Sequence, residues 1–466
     1  MAVFQAIYNL LWGDIIQIPL PGGSTLGLSL LVLILVPAGL YFTVRTRFLP
    51  FRLFPEMLRV TLEKHEKPGG EGISGLQALI VSTACRVGMG NLVGVVAAIS
   101  AGGAGAVFWM WVIALLGSST AFIEATLAQL YKQKDPLYGG YRGGPAYYLH
   151  ALFIKPGSKR RRSVMASLFA LSGLVCWCGI SQVTGNSISS SFENAFHIPP
   201  LYSTIALVAL AAVIVLRKHA TVKVLDLMVP VMAACYFFIT LFIILRNIGQ
   251  VPAVFAQIFA EAFGVRQVVG GGIGAVIMNG AKRGLFSNEA GSGSAPCAAA
   301  AADIDHPAKE GLLQSLGVFI DTLVICSCSA MIMLLTPQEL TAGLEGMDLL
   351  QAAMRYHLGE FGVIFIAVIL WLFSFSTFLG ILFYARSNVA YLFGDNWLSQ
   401  TLYKVLALVM LFVGGLAAYQ FVWDLGDVGV GLMTIFNMAA LFPLAPKALD
   451  ALRDYETNRL HQNTER

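Results

Sequence analysis

The run RVGMGNLVGV, Arg86 to Val95, decides how this chain is read. It lies between LQALIVSTA (residues 76–84) and VAAIS (residues 96–100), so an arginine, an asparagine and three glycines interrupt a stretch otherwise apolar enough for lipid. Glycine in mid-helix costs about 0.5–1 kcal/mol relative to alanine, and a freed backbone group in hydrocarbon costs several kcal/mol more. Such a break is stable where the unwound groups line a cavity and bind something. Half-helix N-termini suit a carboxylate, and carbonyls with half-helix C-termini suit a cation. For a single glycine the competing explanation is close packing between helices.

The rest of the chain makes lipid the setting. Of its 466 residues, 57% are hydrophobic and only 12% charged, too little charge to wet a soluble surface of this size. Apolar runs of roughly 20 residues recur from Leu26 almost to the C-terminus. About eleven spans are expected, centred near Leu35, Leu92, Leu116, Leu174, Val208, Tyr236, Val276, Ile325, Leu370, Met410 and Phe436. The fold class is an all-α polytopic membrane protein. The segment from Met1 to Gly23 has no basic start and is broken by Asp14 and Pro19, so no cleavable signal peptide is expected. That fits a bacterial inner membrane.

The formal net charge of +4 matters less than where the basic residues fall. RTRFLPFRLFPEMLRVTLEKHEK (residues 45–67), KPGSKRRR (155–162) and RKHATVK (217–223) all lie on one side of an eleven-span chain, whereas the other side carries Arg246, Arg266 and Arg355. The N-terminus is therefore expected outside and the tail DYETNRLHQNTER in the cytoplasm.

A second glycine-rich interruption, GGGIGAVIMNG (residues 270–280), falls in the seventh span and is followed by AKRGLFSNEAGSGSAP. Five spans separate it from the first, so the second copy must run through the bilayer in the opposite direction. The expected organisation is residues 1–75 as an N-terminal segment with an extra span, 76–248 and 249–450 as inverted five-helix repeats, and 451–466 as a cytoplasmic tail. The N–H groups around Gly88, Met89, Gly90 and Asn91 are expected to be free for a carboxylate, with Gly272, Ile273, Gly274 and Asn279 bounding the rest of the substrate. For Met89 and Ile273 ordinary packing is the alternative.

The stretches RVGMGNLVGVVAAISAGGAGAVFWMW (86–111), YRGGPAYYL (141–149), KRGLFSNEAGSGSAPCAAAAA (282–301) and GVFIDTLVIC (317–326) resemble the alanine or glycine:cation symporters, sodium-coupled amino-acid carriers. The resemblance spans nearly the whole chain and implies a leucine-transporter-like five-plus-five fold with one extra helix in front. It also implies a sodium ion held by carbonyls of Ala84 and Val87, with Phe373, Ser376 and Thr377 opposite, in FSFSTFLG. An oxygen-only cage without formal charge suits this hard cation. The alternative for Ser376 and Thr377 is bonding back to their own helix, and a second cation site through Asn91 stays open.

Arg86, Glu124 and Asp321 are ionisable residues inside apolar runs, which by default implies partners and function. Glu124 and Asp321 occupy equivalent helices of the two repeats. They either couple transport to protons or hold the broken helices through hydrogen bonds or a salt bridge to Arg86. Lys282, Arg283, Asn288 and Glu289 are expected on the cytoplasmic side after the seventh span, as an inner gate or its hinge, with a static cap as the alternative. FWMW (108–111) is expected to be packing near the outer interface.

The chain also departs from the family. Met89 stands where Thr is usual, Thr184 where Gln is, Ser292 where Met is, Ile381 where Trp often is, and Arg386 where an acid is common. Met89, Thr184 and Ile381 are expected to face the pocket, so the substrate is left between a small neutral amino acid and a larger one such as glutamine.

Other classes find little support. The seven cysteines include two C-x-C pairs inside spans, which on a helix splay the thiols apart and argue against a disulfide framework or zinc. The histidines fall in loops or near span ends and offer no catalytic cluster. No P-loop is present, so no ATP-driven pump is expected. A channel, or a sensor that binds without moving its ligand, remains a rival. The expected partners are a small neutral amino acid, sodium and the lipid bilayer, with no nucleic acid, for a monomer.

Overall fold

The computed structural model describes residues 2–19, 25–63, 72–88, 90–154, 162–217, 220–264, 273–341, 343–344, 346–417 and 419–457. Helix dominates because backbone N–H and C=O groups in hydrocarbon must be satisfied within the segment.

A short helix α1 (Ala2–Trp12), an antiparallel ribbon β1–β2 (Ile16–Pro19 with Thr25–Leu28), the apolar helix α2 (Leu30–Arg45), and the short α3 (Leu49–Arg52) and α4 (Phe54–Leu62) come first. The first broken span follows as α5 (Gly75–Arg86), a π turn Gly90–Gly94 and α6 (Val95–Gly102), bent by 53°. α7 (Gly105–Leu130) leads through the ribbon β3–β4 (Gln133–Lys134 with Tyr141–Arg142) to α8 (Pro145–Phe153). Then come the long α9 (Val164–Phe196), α10 (Pro200–Val215), α11 (Ala220–Arg246) and α12 (Val251–Ala262).

In the second half, α13 (Ile273–Asn288) is separated by an unwound stretch from α14 (Pro296–Ala299). α15 (Pro307–Val318) continues through a π segment Phe319–Cys326 into α16 (Ser327–Leu334). The chain ends with α17 (Gly346–Leu358), α18 (Glu360–Phe393), α19 (Trp397–Gly415) and α20 (Tyr419–Tyr455). Each of the eleven expected centres falls on one of these helices or π turns. Among the described residues seven helices are long and apolar enough to cross a membrane alone, or eight with the bent pair, so the protein is a multi-pass membrane protein. α2 and α10, of 16 residues each, are shorter.

Two packed groups of helices organise the core. α9 lies against α18, α19 and α20, and α7 against α13 and α15. Small residues let α9 and α19 touch: a Cβ on Gly185 would stand 2.2 Å from the Leu411 carbonyl oxygen, so only glycine fits. α7 and α15 cross at Ser118 and Ser315, where each hydroxyl donates to the other's carbonyl at 3.2 and 3.0 Å. α11 turns Leu227, Val231, Phe238, Phe242 and Leu245 outward, an apolar face suited to lipid.

Candidate functional site

The first break begins with a well-defined start. The Ser74 hydroxyl accepts the Gln77 N–H at 3.1 Å and Gln77 Oε1 accepts the Ser74 N–H at 3.0 Å, a reciprocal cap that opens α5. α5 ends at Arg86. Val87 leaves helical geometry at ψ 78° and its carbonyl turns out of the helix. Met89 lies outside the described residues.

The expectation of free N–H groups is corrected at two positions. The Gly88 N–H donates to the Arg86 carbonyl at 2.8 Å and to Asn91 Oδ1 at 2.9 Å, and the Asn91 N–H to the Gly88 carbonyl at 3.2 Å. Asn91 closes the unwound turn with its own side chain, because a buried donor without an acceptor is costly. Its Nδ2 donates to Asp321 Oδ1 at 2.6 Å, and Asp321 Oδ2 accepts from Ser287 at 2.8 Å and Thr322 at 2.7 Å. The Asn91 carbonyl accepts from Ser329, whose hydroxyl also meets Tyr236 OH at 2.8 Å. Gly90 opens the π turn and is partly exposed, with a virtual Cβ no closer than 3.6 Å to Phe286.

The second break is not where the glycines are densest. Gly272 lies outside the described residues, but α13 runs unbroken from Ile273 through Gly274 and Asn279 to Asn288, and Asn279 Nδ2 bonds back to the Ala275 carbonyl of its own helix at 2.9 Å. Unwinding begins at Glu289, with φ 54°, and continues through Gly291 at 88° and Gly293 at 83°. Lys282 and Arg283 therefore sit inside α13 and not on a cytoplasmic loop after it, with the Lys282 ammonium 4.0 Å from Asp14 beside the N-terminal ribbon.

This second opening is held from α7 and α20. Glu124 Oε1 accepts the Gly291 N–H at 3.2 Å, and Asn437 Nδ2 donates to Glu124 Oε2 and to the Gly291 carbonyl, each at 2.9 Å. Tyr148 OH donates to Asn437 Oδ1. Asn288 Oδ1 accepts the Ala290 N–H, and Glu289 Oε2 accepts from Ser294. Glu124 and Asp321, both fully buried, thus each brace one break by hydrogen bonds. Neither pairs with Arg86. The Arg86 Nη1 donates to the Gln314 carbonyl at 3.2 Å, while its Nε and Nη2 have no hydrogen-bond partner among the described residues.

At the C-terminal pole of α5 the Ala84 carbonyl accepts from Ser376 Oγ and Thr377 Oγ1, both at 3.2 Å, and the same hydroxyls reach the Phe373 carbonyl at 2.8 and 3.0 Å. Four oxygens from two helices converge there, at the negative end of a half-helix. Ser376 and Thr377 bond back to α18 and also face α5. A Cβ on Gly88 would stand 2.3 Å from Thr377 Oγ1, which forces glycine at this crossing. Thr184 and Ile381 are buried in α9 and α18, and no hydrogen bond ties the Thr184 hydroxyl to either break. Trp109 and Trp111 of FWMW donate to the Ala262 carbonyl and Ser327 Oγ, which fits packing.

Sequence reading missed Ser287, Ser329 and Asn437. Asn437, a lone amide in the apolar run TIFNMAALF, was the available signal; the serines carried none, because hydroxyls in spans commonly bond back to their own helix. All seven cysteines are free, and no group of metal-ligating side chains occurs among the described residues.

Two opened helices, braced by buried acids and meeting an uncharged set of oxygens, define a membrane carrier of secondary-transporter type, not an enzyme. Residues 21–466 match the model of the sodium:alanine symporter family, and the chain belongs to that family, whose co-transported ion is sodium. It is 43% identical to the amino-acid carrier protein AlsT of Bacillus subtilis, over 91% of this chain and 89% of that one. It is 42% identical to the probable sodium/glutamine symporter GlnT of the same organism, over 92% and 88%. Among solved structures a manganese transporter of Eremococcus coleocola shares the fold, with a TM-score of 0.52 and 14% identity over 86% of this chain and 80% of that one.

Proposed function

We propose that the protein imports a small neutral amino acid, alanine first, together with sodium by alternating access. It acts as a monomer in a bacterial inner membrane, with its N-terminus outside and its tail in the cytoplasm. The observation that carries this reading is the meeting of the Ala84 carbonyl with Ser376 and Thr377 at the broken end of α5. An uncharged oxygen set favours sodium over a divalent ion, and the Val87 carbonyl, where the chain leaves α5, would complete it. The Gly88 N–H, held here by Asn91 Oδ1, is the donor a substrate carboxylate would take once that amide swings away. Gly90, Met89, Thr184 and Ile381 would shape the rest of the pocket, and Asn288 and Glu289 the hinge of the second break.

The inverted arrangement of residues 76–248 and 249–450 has support in one register. The step from Ser118 to Glu124 equals that from Ser315 to Asp321; the serines pair with each other and each acid braces the other half's break. Bracing, not proton coupling, is the role we assign to both acids, since every oxygen of Asp321 and Glu124 already accepts a hydrogen bond.

Uptake of labelled amino acids into liposomes carrying the purified protein tests the reading. An inward sodium gradient should accumulate alanine, and an imposed proton gradient alone should not. If neither gradient drives accumulation of any small amino acid, the proposal fails. The relative GlnT makes glutamine the second candidate, and the same assay with glutamine separates the two. The Ser376→Ala/Thr377→Ala pair should abolish sodium-driven uptake; an unchanged sodium activation curve would remove the cation site.

A further inference from the structure

A cavity of about 440 Å3 opens on the face that carries the start of α5 and the basic segment before α11. Its walls carry charges that the fold leaves incompletely matched. Arg386 and Lys404 line it from α18 and α19, and Asp226 and Lys223 from α11.

Arg386 is held without using its donors. Its guanidinium lies 4.2 Å from the Phe383 ring centroid and 4.7 Å from that of Tyr138, and its Nε is 3.7 Å from Asp135 Oδ2. None of its N–H groups makes a hydrogen bond to a described residue, although its side chain is only 15% exposed. Arg142, which pairs with Asp395, lies 3.9 Å from Asp135 as well, and the Arg386–Asp135 contact is an ion pair without a hydrogen bond. The Lys404 ammonium sits 5.7 Å from the Tyr138 centroid and has no acceptor among the described residues. Asp226 Oδ2 accepts from Gln77 Nε2 at 2.8 Å, whereas Oδ1 is buried and has no hydrogen-bond partner among the described residues. Fixed donors and an unfilled carboxylate oxygen in one cavity call for a ligand carrying both charges, since buried polar groups are costly when left unmatched. Arginine's planar fork suits a carboxylate, and a free carboxylate oxygen suits an ammonium group.

We propose that this vestibule is a second binding site for an α-amino acid, its carboxylate held by Arg386 and Lys404 and its ammonium group by Asp226. The site rests on the reading above that this face is cytoplasmic and the cargo an amino acid, and it would receive the cargo on its way out of the centre. Gln77, on the first turn of α5, ties the ammonium-binding acid to the broken span, so occupancy would be felt there.

The test reads the vestibule without transport. In a Cys235→Ser background, which removes the exposed native thiol, Thr221→Cys places a thiol on the cavity wall. Its rate of labelling by a maleimide is followed in detergent without sodium, so that cation-dependent loading of the first break does not contribute. L-alanine should slow labelling. Arg386→Gln and Asp226→Asn should each raise the half-protecting concentration about tenfold or more, the scale of one lost charge-assisted contact. Lys404→Gln serves in place of Arg386→Gln if that variant fails to elute as a folded protein. No protection by alanine, equal protection in all variants, or equal protection by acetate in place of alanine would overturn the site. Liposome uptake by the unaltered protein keeps the two readings apart. Protection without uptake removes the transport reading and keeps the vestibule site, and uptake without protection does the reverse.

Discussion

Gly88 carries two demands at once. It follows the last turn of α5, where the backbone must leave the helix, and it crosses α18 so closely that a Cβ would lie 2.3 Å from the Thr377 hydroxyl. Thr377 cannot swing away freely, because it is bound to two carbonyls. Gly88→Ala should therefore push α5 off the Ser376 and Thr377 hydroxyls, the proposed cation ligands, at an overpacking cost of about 1–3 kcal/mol. The sodium concentration for half-maximal uptake should rise at least about tenfold. Gly90→Ala should stay near the parent value, since its nearest neighbour is Phe286 at 3.6 Å. Sodium activation curves of both variants check this, and the reverse order would contradict the crossing. Arg86 shows the limit of residue-level reading: two buried nitrogens have no partner among the described residues, and nothing in the surroundings accounts for that.

Among the elements, α7 and α15 act as the paired struts of the core. Their serines at 118 and 315 exchange hydrogen bonds, and six residues further along, α7 and the π segment that continues α15 each present an acid to the opposite break. A double-mutant cycle with Ser118→Ala and Ser315→Ala, read by unfolding in detergent, should give a coupling between about 0.6 and about 1.7 kcal/mol, the average and the upper end for hydrogen bonds between membrane helices. A coupling near zero would mean that the serines are merely neighbours. α17 offers a test outside the spans. His357 Nε2 faces the Ile332 carbonyl at 3.1 Å and the Thr336 hydroxyl at 3.0 Å, and burial lowers the ring's pKa below its ordinary value. A folded pKa below the unfolded one gives stability that is present above the unfolded value of about 6.5 and lost as pH falls through the folded one. Thermal unfolding of the parent should therefore drop on acidification below about pH 6.5, and His357→Gln should flatten that part of the profile.

At the scale of the molecule, the basic segments define a side. Lys223 beside the vestibule and Glu339 between α16 and α17 are both exposed, and the proposed topology places them on opposite faces of the membrane. In intact cells an impermeant maleimide should label Glu339→Cys and spare Lys223→Cys, and the opposite pattern would invert the orientation. The cavity on the Lys223 face draws its charged wall from residues as far apart as Asp226 and Lys404. Arg386 stands out in the sequence only as a departure from the family, where an acid is common, and its place in one cavity with Asp226 exists only in the packed protein.

The sequence by itself determined the membrane class and the break after Arg86, because these rest on composition and on local backbone chemistry. It also placed Ala84, Ser376 and Thr377 as candidates by resemblance, and the fold brought them together. What only the tertiary structure decided is where the second span opens. Glycine density pointed to residues 270–280, yet the described part of that stretch stays helical and the chain unwinds at Glu289 to Gly293. A helix in lipid opens where other groups can take up its freed backbone, and Glu124 and Asn437 provide those groups at Gly291. Such partners lie 146 and 167 residues away along the chain, a distance that no local pattern encodes.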